Sequence, residues 1–454
     1  MTRLSDFLAF MAEHPQIGYA VPGSDDYPAL RQAYIIDNPA VPFAIVRPKS
    51  AADVAILVSY AVAQRISITV RSGGHDLFGR CFANGALAID VRDIDFVGID
   101  SANGTATVGG GVLALKLATE LSRHHLATAF GSFANVGYVG WSTHGGYGPF
   151  EANYGLGVDQ IIGATLVNCD GKVVTADEAM LDAIRGGGGC LGVIVEMTIK
   201  TYPLEKVLNG VIVFKASDLQ ATLRKFTEGY RCLIQEGLPG ELGIQQAIVN
   251  SPLGKAFVIT FVWSSDDLAT GQIWLEKIKQ LGDDIAVDSV KQTTTPDFMK
   301  SATEVPPKTA YGGNCTISVR EITDEILTLM GEHLARMPDD PATLFAIHQL
   351  RGASAKPRPG SVFGAREPHY MFEFIATTSS PERAEESWSW ATAFRDALLT
   401  TDRSNLLEST YISLTPPADA HNPAIFGSSW QRLVDIKRRY DPQNVFSHAL
   451  LQFE

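Results

Sequence analysis

A chain of 454 residues, 45% apolar and 19% charged, is long enough for two sizeable cores and too hydrophobic to be disordered. Its formal charge of −13 argues against nucleic acid or an anionic membrane as partner, since either would need a basic face. No apolar run nears the roughly 18 residues of a membrane span, Asp6 and Glu13 come too early for a secretory signal, and the five cysteines lack any Cys-x-x-Cys pair. Buried thiols of a cytoplasmic protein, with neither disulfide framework nor metal site, are the expectation.

Residues 1–37 mix polar and apolar side chains with tyrosines, which predicts a helix and an arm. Phe43 to Val46 predicts a strand. Ser50 can cap a helix from Ala51 to Gln64, where Val54, Ile56, Leu57, Val58 and Val62 form a broad buried face. Next comes Thr69-Val70-Arg71-Ser72-Gly73-Gly74-His75-Asp76, with apolar runs ending at Ile68 and resuming at Ala86. The pattern reads strand, tight glycine turn, strand. Adjacent glycines let the backbone bend and bring bare N–H groups up to a phosphate oxygen. Arg71 adds positive charge at the entrance, and His75 sits where the chain leaves the turn. The plain alternative is a hairpin loop with a satisfied histidine.

Thr105 to Val108 predicts a strand before Gly109-Gly110-Gly111 and a helix near Leu115 to His124. Gly109 to Ala114 fits a dinucleotide fingerprint. The acid that should follow about 20 residues later is missing, because Leu126 to Gly148 holds neither Asp nor Glu. Gly131 to Gly148 interleaves glycine with aromatic residues and reads as a long functional loop able to wrap a flat, anionic cofactor. Ile161 to Asn168 predicts a strand, with Asp170-Gly171 turning it into Lys172 to Val174. A last glycine loop, Arg185 to Gly192, precedes a strand from Val193 to Tyr202.

Pro203 marks a boundary, beyond which longer strands alternate with helices. Strands are expected at Val211 to Phe214, Gln246 to Val249, Ala256 to Val262, Thr316 to Val319, Leu344 to His348 and Tyr370 to Ile375. Helices fit at Leu219 to Gln235, Leu268 to Leu281, Ile322 to Met337 and Glu382 to Leu399. The one-sided stripe Ile322, Ile326, Leu329, Met330, Leu334 puts helices on one face of the sheet, so the other face must cover something else. A final helix runs through Trp430, Leu433 and Ile436 to the basic Lys437-Arg438-Arg439, which complements a helix C-terminus.

Arg71-Ser72-Gly73-Gly74-His75, the loop Gly131 to Gly148, Tyr154-Gly155-Leu156, Arg185 to Gly192 and Tyr440-Asp441-Pro442-x-Asn444-x-Phe446 occur in one family's order and spacing. From about residue 38 onward the chain resembles the berberine bridge enzyme-like oxidases of the vanillyl-alcohol oxidase class, and is similar to 6-hydroxynicotine oxidases. The resemblance implies an α+β protein: a PCMH-type FAD-binding domain of two α+β subdomains (1–205), an inserted antiparallel-sheet substrate domain backed by helices (206–410), and a tail that returns to the first domain (411–454). It implies covalent FAD bonded at the flavin 8α carbon to His75. Arg71, Ser72, Gly73, Gly74, His75 and Asp76 are assigned to the pyrophosphate and flavin edge. Gly131, Ser132, Gly137, Gly140, Gly145 and Gly146 line the cofactor, Trp141 stands where a histidine is frequent, and Val193 and Asn444 lie near the ring. Phe133 holds the place of a second linking cysteine, so a single covalent link is expected. Ser413 and Ser429 replace common asparagines, and Gly364-Ala365-Arg366 replaces the usual Pro-His-Arg.

Flavin oxidation of an alcohol or amine carbon needs a group to take the O–H or N–H proton. In His369 to Ile375, strand period puts Met371, Glu373 and Ile375 on one face and Tyr370, Phe372 and Phe374 on the other. Glu373 matches the family's catalytic glutamate; its plain alternative is a pair with Arg366 or a lysine. Tyr411 and Tyr154 match family tyrosines able to bond substrate or relay a proton, with His348 and His144 weaker candidates. Met371 stands where relatives place a lysine base. The expectation is a FAD-linked oxidase of secondary metabolism acting on a small substrate, reoxidised by O2 to H2O2, as a monomer or homodimer. The alternatives are an oligosaccharide oxidase and a flavin-binding protein that has lost catalysis.

Overall fold

The structure is a computed structural model that describes residues 3–215, 218–252, 254–304, 310–449 and 453. Three sheets carry it. The first orders Gly18–Ala20, Ala44–Arg47, Leu87–Asp90 and Ile68–Arg71 as neighbours. Ile68–Arg71 and Leu87–Asp90 lie parallel, so the glycine turn between them is no hairpin. A parallel pair needs a crossover, and that crossover is the segment displaying His75. Ser50 caps the helix Ala51–Ala63 by accepting from the Asp53 N–H at 3.1 Å. Val54, Leu57 and Val58 seat this helix on the sheet with Val46 and Ile89.

The second sheet is antiparallel and runs Val97–Asp100, Thr105–Gly109, Val193–Lys200, Ile161–Val167 and Val173–Thr175. Its strands explain the triple glycine. The N–H groups of Gly109, Gly110 and Gly111 donate to the carbonyls of Phe96, Val195 and Ile94, each at 2.9 Å, so none is left for a phosphate. A Cβ at Gly111 would overlap the Val91 carbonyl oxygen, and one at Gly110 that of Ile194. Close approach of three backbones, not nucleotide binding, requires these glycines. The stretch Gly131 to Gly148 is likewise less irregular than its glycines suggest, because Tyr138–Thr143 coils into a helix with buried Tyr138, Val139 and Ser142.

The third sheet has eight strands, all antiparallel, with Tyr311–Val319, His369–Thr378 and Thr343–Leu350 adjacent at one end. The helices Leu219–Glu236, Leu268–Lys279, Asp324–Leu334 and Ala384–Leu398 pack on one face, where Phe372 and Phe374 meet Phe226, Met330 and Phe394. Met371 points the other way, into a cluster with Tyr147, Phe363 and Tyr411. The strand period is obeyed, and the second face covers the glycine-rich loops. Strands Ile285–Asp288 and Lys291–Thr293 and the helix Thr295–Glu304 escape sequence reasoning, since their short polar patterns resemble loops.

The tail is pinned to the first two sheets. In the helix Trp430–Tyr440, Leu433 and Ile436 join the core containing Leu181 and Ile184. Lys437 is buried, donating to the Cys190 carbonyl at 2.8 Å and to Asp441 at 2.5 Å. Asp441 in turn accepts from the N–H groups of Val445 and Phe446. Among the described residues no helix is long and apolar enough to cross a membrane. Substituting Gly111→Ala should destabilise the protein by about 3 kcal/mol or more through backbone overlap, equally with and without added FAD. A loss of cofactor binding at unchanged melting temperature would contradict this assignment.

Candidate active site

Two loops meet glycine to glycine. A Cβ at Gly73 would overlap Gly137 N, and one at Gly137 would overlap Ser72 Oγ, so only bare backbone allows the contact. Among the described residues no acceptor takes the N–H groups of Gly73, Gly74 or His75 on one loop, or of Ser132 and Phe133 on the other. Buried polar atoms without partners accompany them: Ser72 Oγ, His144 Nε2 and, on the tail, Asn444 Oδ1. Unmet donors and acceptors are costly when buried. Donors for oxygen anions beside polar groups for a heterocycle fit FAD. Gly140 contributes open space, with nothing within 4 Å of a Cβ placed there.

Not every residue read as a cofactor contact has that freedom. Arg71 is 4% exposed, and its guanidinium bonds Asp90 at 3.1 Å and the Gln32 carbonyl at 2.8 Å. Its charge is therefore matched inside the fold, and the turn offers N–H groups instead of a free cation. Asp76 accepts from the N–H groups of Phe78 and Arg80, at 3.1 and 2.6 Å, fixing the chain just after His75. Trp141 donates its Nε1–H to the Tyr147 carbonyl at 3.0 Å and packs against Gly131 and Gly146. Val193 is fully buried behind the loops among Val46, Val195 and Phe446. Burial pushes the His75 imidazole down to about 4, with Asn135 opposing and Arg71 adding to the shift. At neutral pH His75 is uncharged.

Glu373 lies on the sheet face toward these loops. Its register partners are Thr316 and Ala346, and the diagonal neighbours Asn314 and His348 hold it. Asn314 Nδ2 donates to Oε1 at 3.0 Å, and the His348 Nε2–H donates to Oε2 at 2.9 Å. The pair with Arg366 does not form, because Arg366 grips Asp159 through two bonds of 2.8 and 2.7 Å. His348 gains its place from the diagonal geometry of an antiparallel pair, which sequence spacing does not display. Glu373 also acts electrostatically on Tyr34, whose ring stacks on His75 with centroids 4.9 Å apart.

Tyr411 closes another wall. Its ring would lie 2.8 Å from a Cβ at Gly145, and its hydroxyl accepts the Gly146 N–H at 3.3 Å. Gly145 and Gly146 both have positive φ, +126° and +80°, which this close approach exploits. Tyr147 packs on Tyr411 and donates its hydroxyl to His369 Nε2 at 3.1 Å, while His369 Nδ1 donates to the Glu367 carbonyl at 2.6 Å. Tyr154 stands apart, its ring flat against Tyr202 at 4.1 Å. His144 bonds the Gly140 carbonyl through Nδ1 at 2.9 Å, and burial pushes it down to about 4.

Residues 42–177 match the FAD binding domain family and residues 405–450 the berberine and berberine-like family. Over 98% of the chain and 86% of the relative, the sequence is 32% identical to the FAD-linked oxidoreductase aurO of Gibberella zeae. The chain belongs to the berberine bridge enzyme-like family of FAD-linked oxidoreductases. It is 27% identical to (R)-6-hydroxynicotine oxidase of Paenarthrobacter nicotinovorans over 90% of both chains. The fold is shared with glucooligosaccharide oxidase of Acremonium strictum, at a TM-score of 0.84 over 98% of this chain and 99% of the other with 18% identity, a structure describing a 6-S-cysteinyl, 8α-N1-histidyl FAD.

Glu151 escapes sequence reasoning altogether. It is 8% exposed, accepts the Gly148 N–H at 3.1 Å, and faces His348, Arg351, Tyr147 and Tyr411. Burial pushes its carboxyl up to about 7, against smaller opposing effects from Gly148, His348 and Arg351. A raised folded value favours the protonated form, so its stabilisation is complete below about pH 4.5 and lost as pH rises through about 7. Glu151→Gln should therefore gain on the wild type by on the order of 2–3 kcal/mol between about pH 5 and pH 8, read from urea midpoints. A constant difference across that range would contradict the burial argument.

Proposed function

We propose that this chain is an oxidase that removes hydride from the alcohol or amine carbon of a small, aromatic or secondary-metabolite substrate, holding FAD by one covalent bond at His75 and passing the electrons to O2 as H2O2. The observation that carries this reading is a buried carboxylate, Glu373, fixed by two donors on the face that covers the glycine-rich loops. FAD, when bound, supplies the hydride acceptor. Residues 1–205 and 411–454 hold it, and residues 206–410 bring the substrate face.

Glu373 takes the substrate O–H or N–H proton. Asn314 and His348 stop its carboxylate from turning away, and the His348 side chain, 20% exposed, leads toward water. Positioned proton transfer of this kind is worth about 10²–10⁴ in rate. Tyr411 is held against Gly146 and can bond the substrate oxygen. Tyr154, stacked on Tyr202, carries no chemistry in this reading. His75 supplies an uncharged imidazole nitrogen for the link. Phe133 occupies the position from which a cysteine would make a second link, and it is 39% exposed. That separates the chain from the doubly attached oligosaccharide oxidases.

The test is anaerobic flavin reduction across a panel of aromatic alcohols and amines. Glu373→Gln should slow reduction by about 100-fold or more while leaving the flavin spectrum intact. Unchanged reduction would remove Glu373 from the mechanism. No reduction by any member of the panel would favour the flavin-binding protein without catalysis.

A further inference from the structure

The arm that follows the first helix has no part in the reading above, yet it reaches the linking histidine. Tyr34 donates its backbone N–H to the Gly74 carbonyl at 2.9 Å, and its own carbonyl accepts from Ala310 at 2.9 Å. Ile36 donates to the Ala310 carbonyl at 3.0 Å. The arm is thus a strap tied on one side to the glycine turn and on the other to the residue that enters the strand Tyr311–Val319. Its side chain completes the tie. The Tyr34 ring lies nearly parallel to the His75 imidazole, at 21° and 4.9 Å between centroids, and it is the one ring stacked on His75 among the described residues. Its hydroxyl is directed to Thr377 of the strand His369–Thr378, and Glu373 of the same strand acts on it electrostatically.

From this juxtaposition we propose that Tyr34 is a positioning residue for covalent attachment of the flavin, clamping the His75 imidazole in the plane from which a ring nitrogen bonds the 8α carbon. The inference rests on the reading of His75 as the point of attachment. Aromatic pairs prefer such offset stacks, and a fixed ring removes one rotational freedom from bond formation. Burial, with the positive charge of Arg71 adding to it and Asn135 opposing it, keeps the ring uncharged and its lone pair available. The bond forms between nitrogen and carbon as one hydrogen leaves the imidazole N–H and one the 8α methyl. The two electrons and two protons reduce the flavin and then pass to O2, giving H2O2.

The experiment uses full-length protein made in a riboflavin-starved host and then supplied with FAD, with covalent adduct followed by intact mass over time. Tyr34→Phe keeps the ring and should attach FAD at the wild-type rate. Tyr34→Leu and Tyr34→Ala lose the stack and should attach about fivefold to tenfold more slowly, while the total FAD bound, read from the native spectrum, stays at the wild-type level. Attachment by Tyr34→Leu at the wild-type rate would overturn the proposal, and it decides the matter if Tyr34→Ala fails to fold. A wild-type protein that never forms the adduct would overturn the reading of His75 itself, and this role with it.

Discussion

The contact of Gly73 with Gly137 sets where everything else in the cleft can lie. Two loops from different sheets touch through bare backbone, and a methyl group on either side would force them apart. Just beyond this contact, the N–H groups of Gly74 and His75, and those of Ser132 and Phe133, are left without acceptors among the described residues. Arg71 and Asp90 lock the strand end beneath the first loop, and Asp76 locks the chain above it. His75 is held between these two fixed points. A row of unmet N–H groups and an imidazole pushed down by burial lie side by side at this contact.

The eight-stranded sheet imposes a second constraint. A carboxylate at Glu373 would be expensive to bury alone, and register supplies its partners two residues along each neighbouring strand. Asn314 and His348 reach it diagonally, while Phe372 and Phe374, one residue either side, are committed to the helical layer. Strand alternation therefore turns Glu373 to the same face as Met371, toward the glycine-rich loops. The tail closes the arrangement: Lys437 and Asp441 anchor it below, and Tyr411 comes to rest against Gly145.

Much of this was legible from residues in order. The capped helix at Ala51, the hairpin around Asp170-Gly171, the alternation through Glu373 and the tail motif ending at Phe446 are local patterns, and local patterns survive in a linear reading. What was hidden depends on pairing between distant segments. Parallel packing of Ile68–Arg71 with Leu87–Asp90 turns an apparent hairpin into a crossover. The triple glycine at Gly109 looks like a phosphate loop until its N–H groups are seen donating to other strands. His348 was a lone histidine until strand register set it against Glu373, and neither Tyr34 nor Glu151 sits in any motif. Their importance is set by burial and by neighbours from far along the chain.

The account stands or falls on what joins His75 and where that group lies relative to Glu373. A crystal structure of protein purified with its yellow cofactor measures both at once. The account predicts continuous electron density from the His75 imidazole to the flavin, no density from Phe133, and the reactive ring edge facing Glu373 across the substrate space. An isolated imidazole, or a flavin turned away from the sheet that carries Glu373, would contradict it.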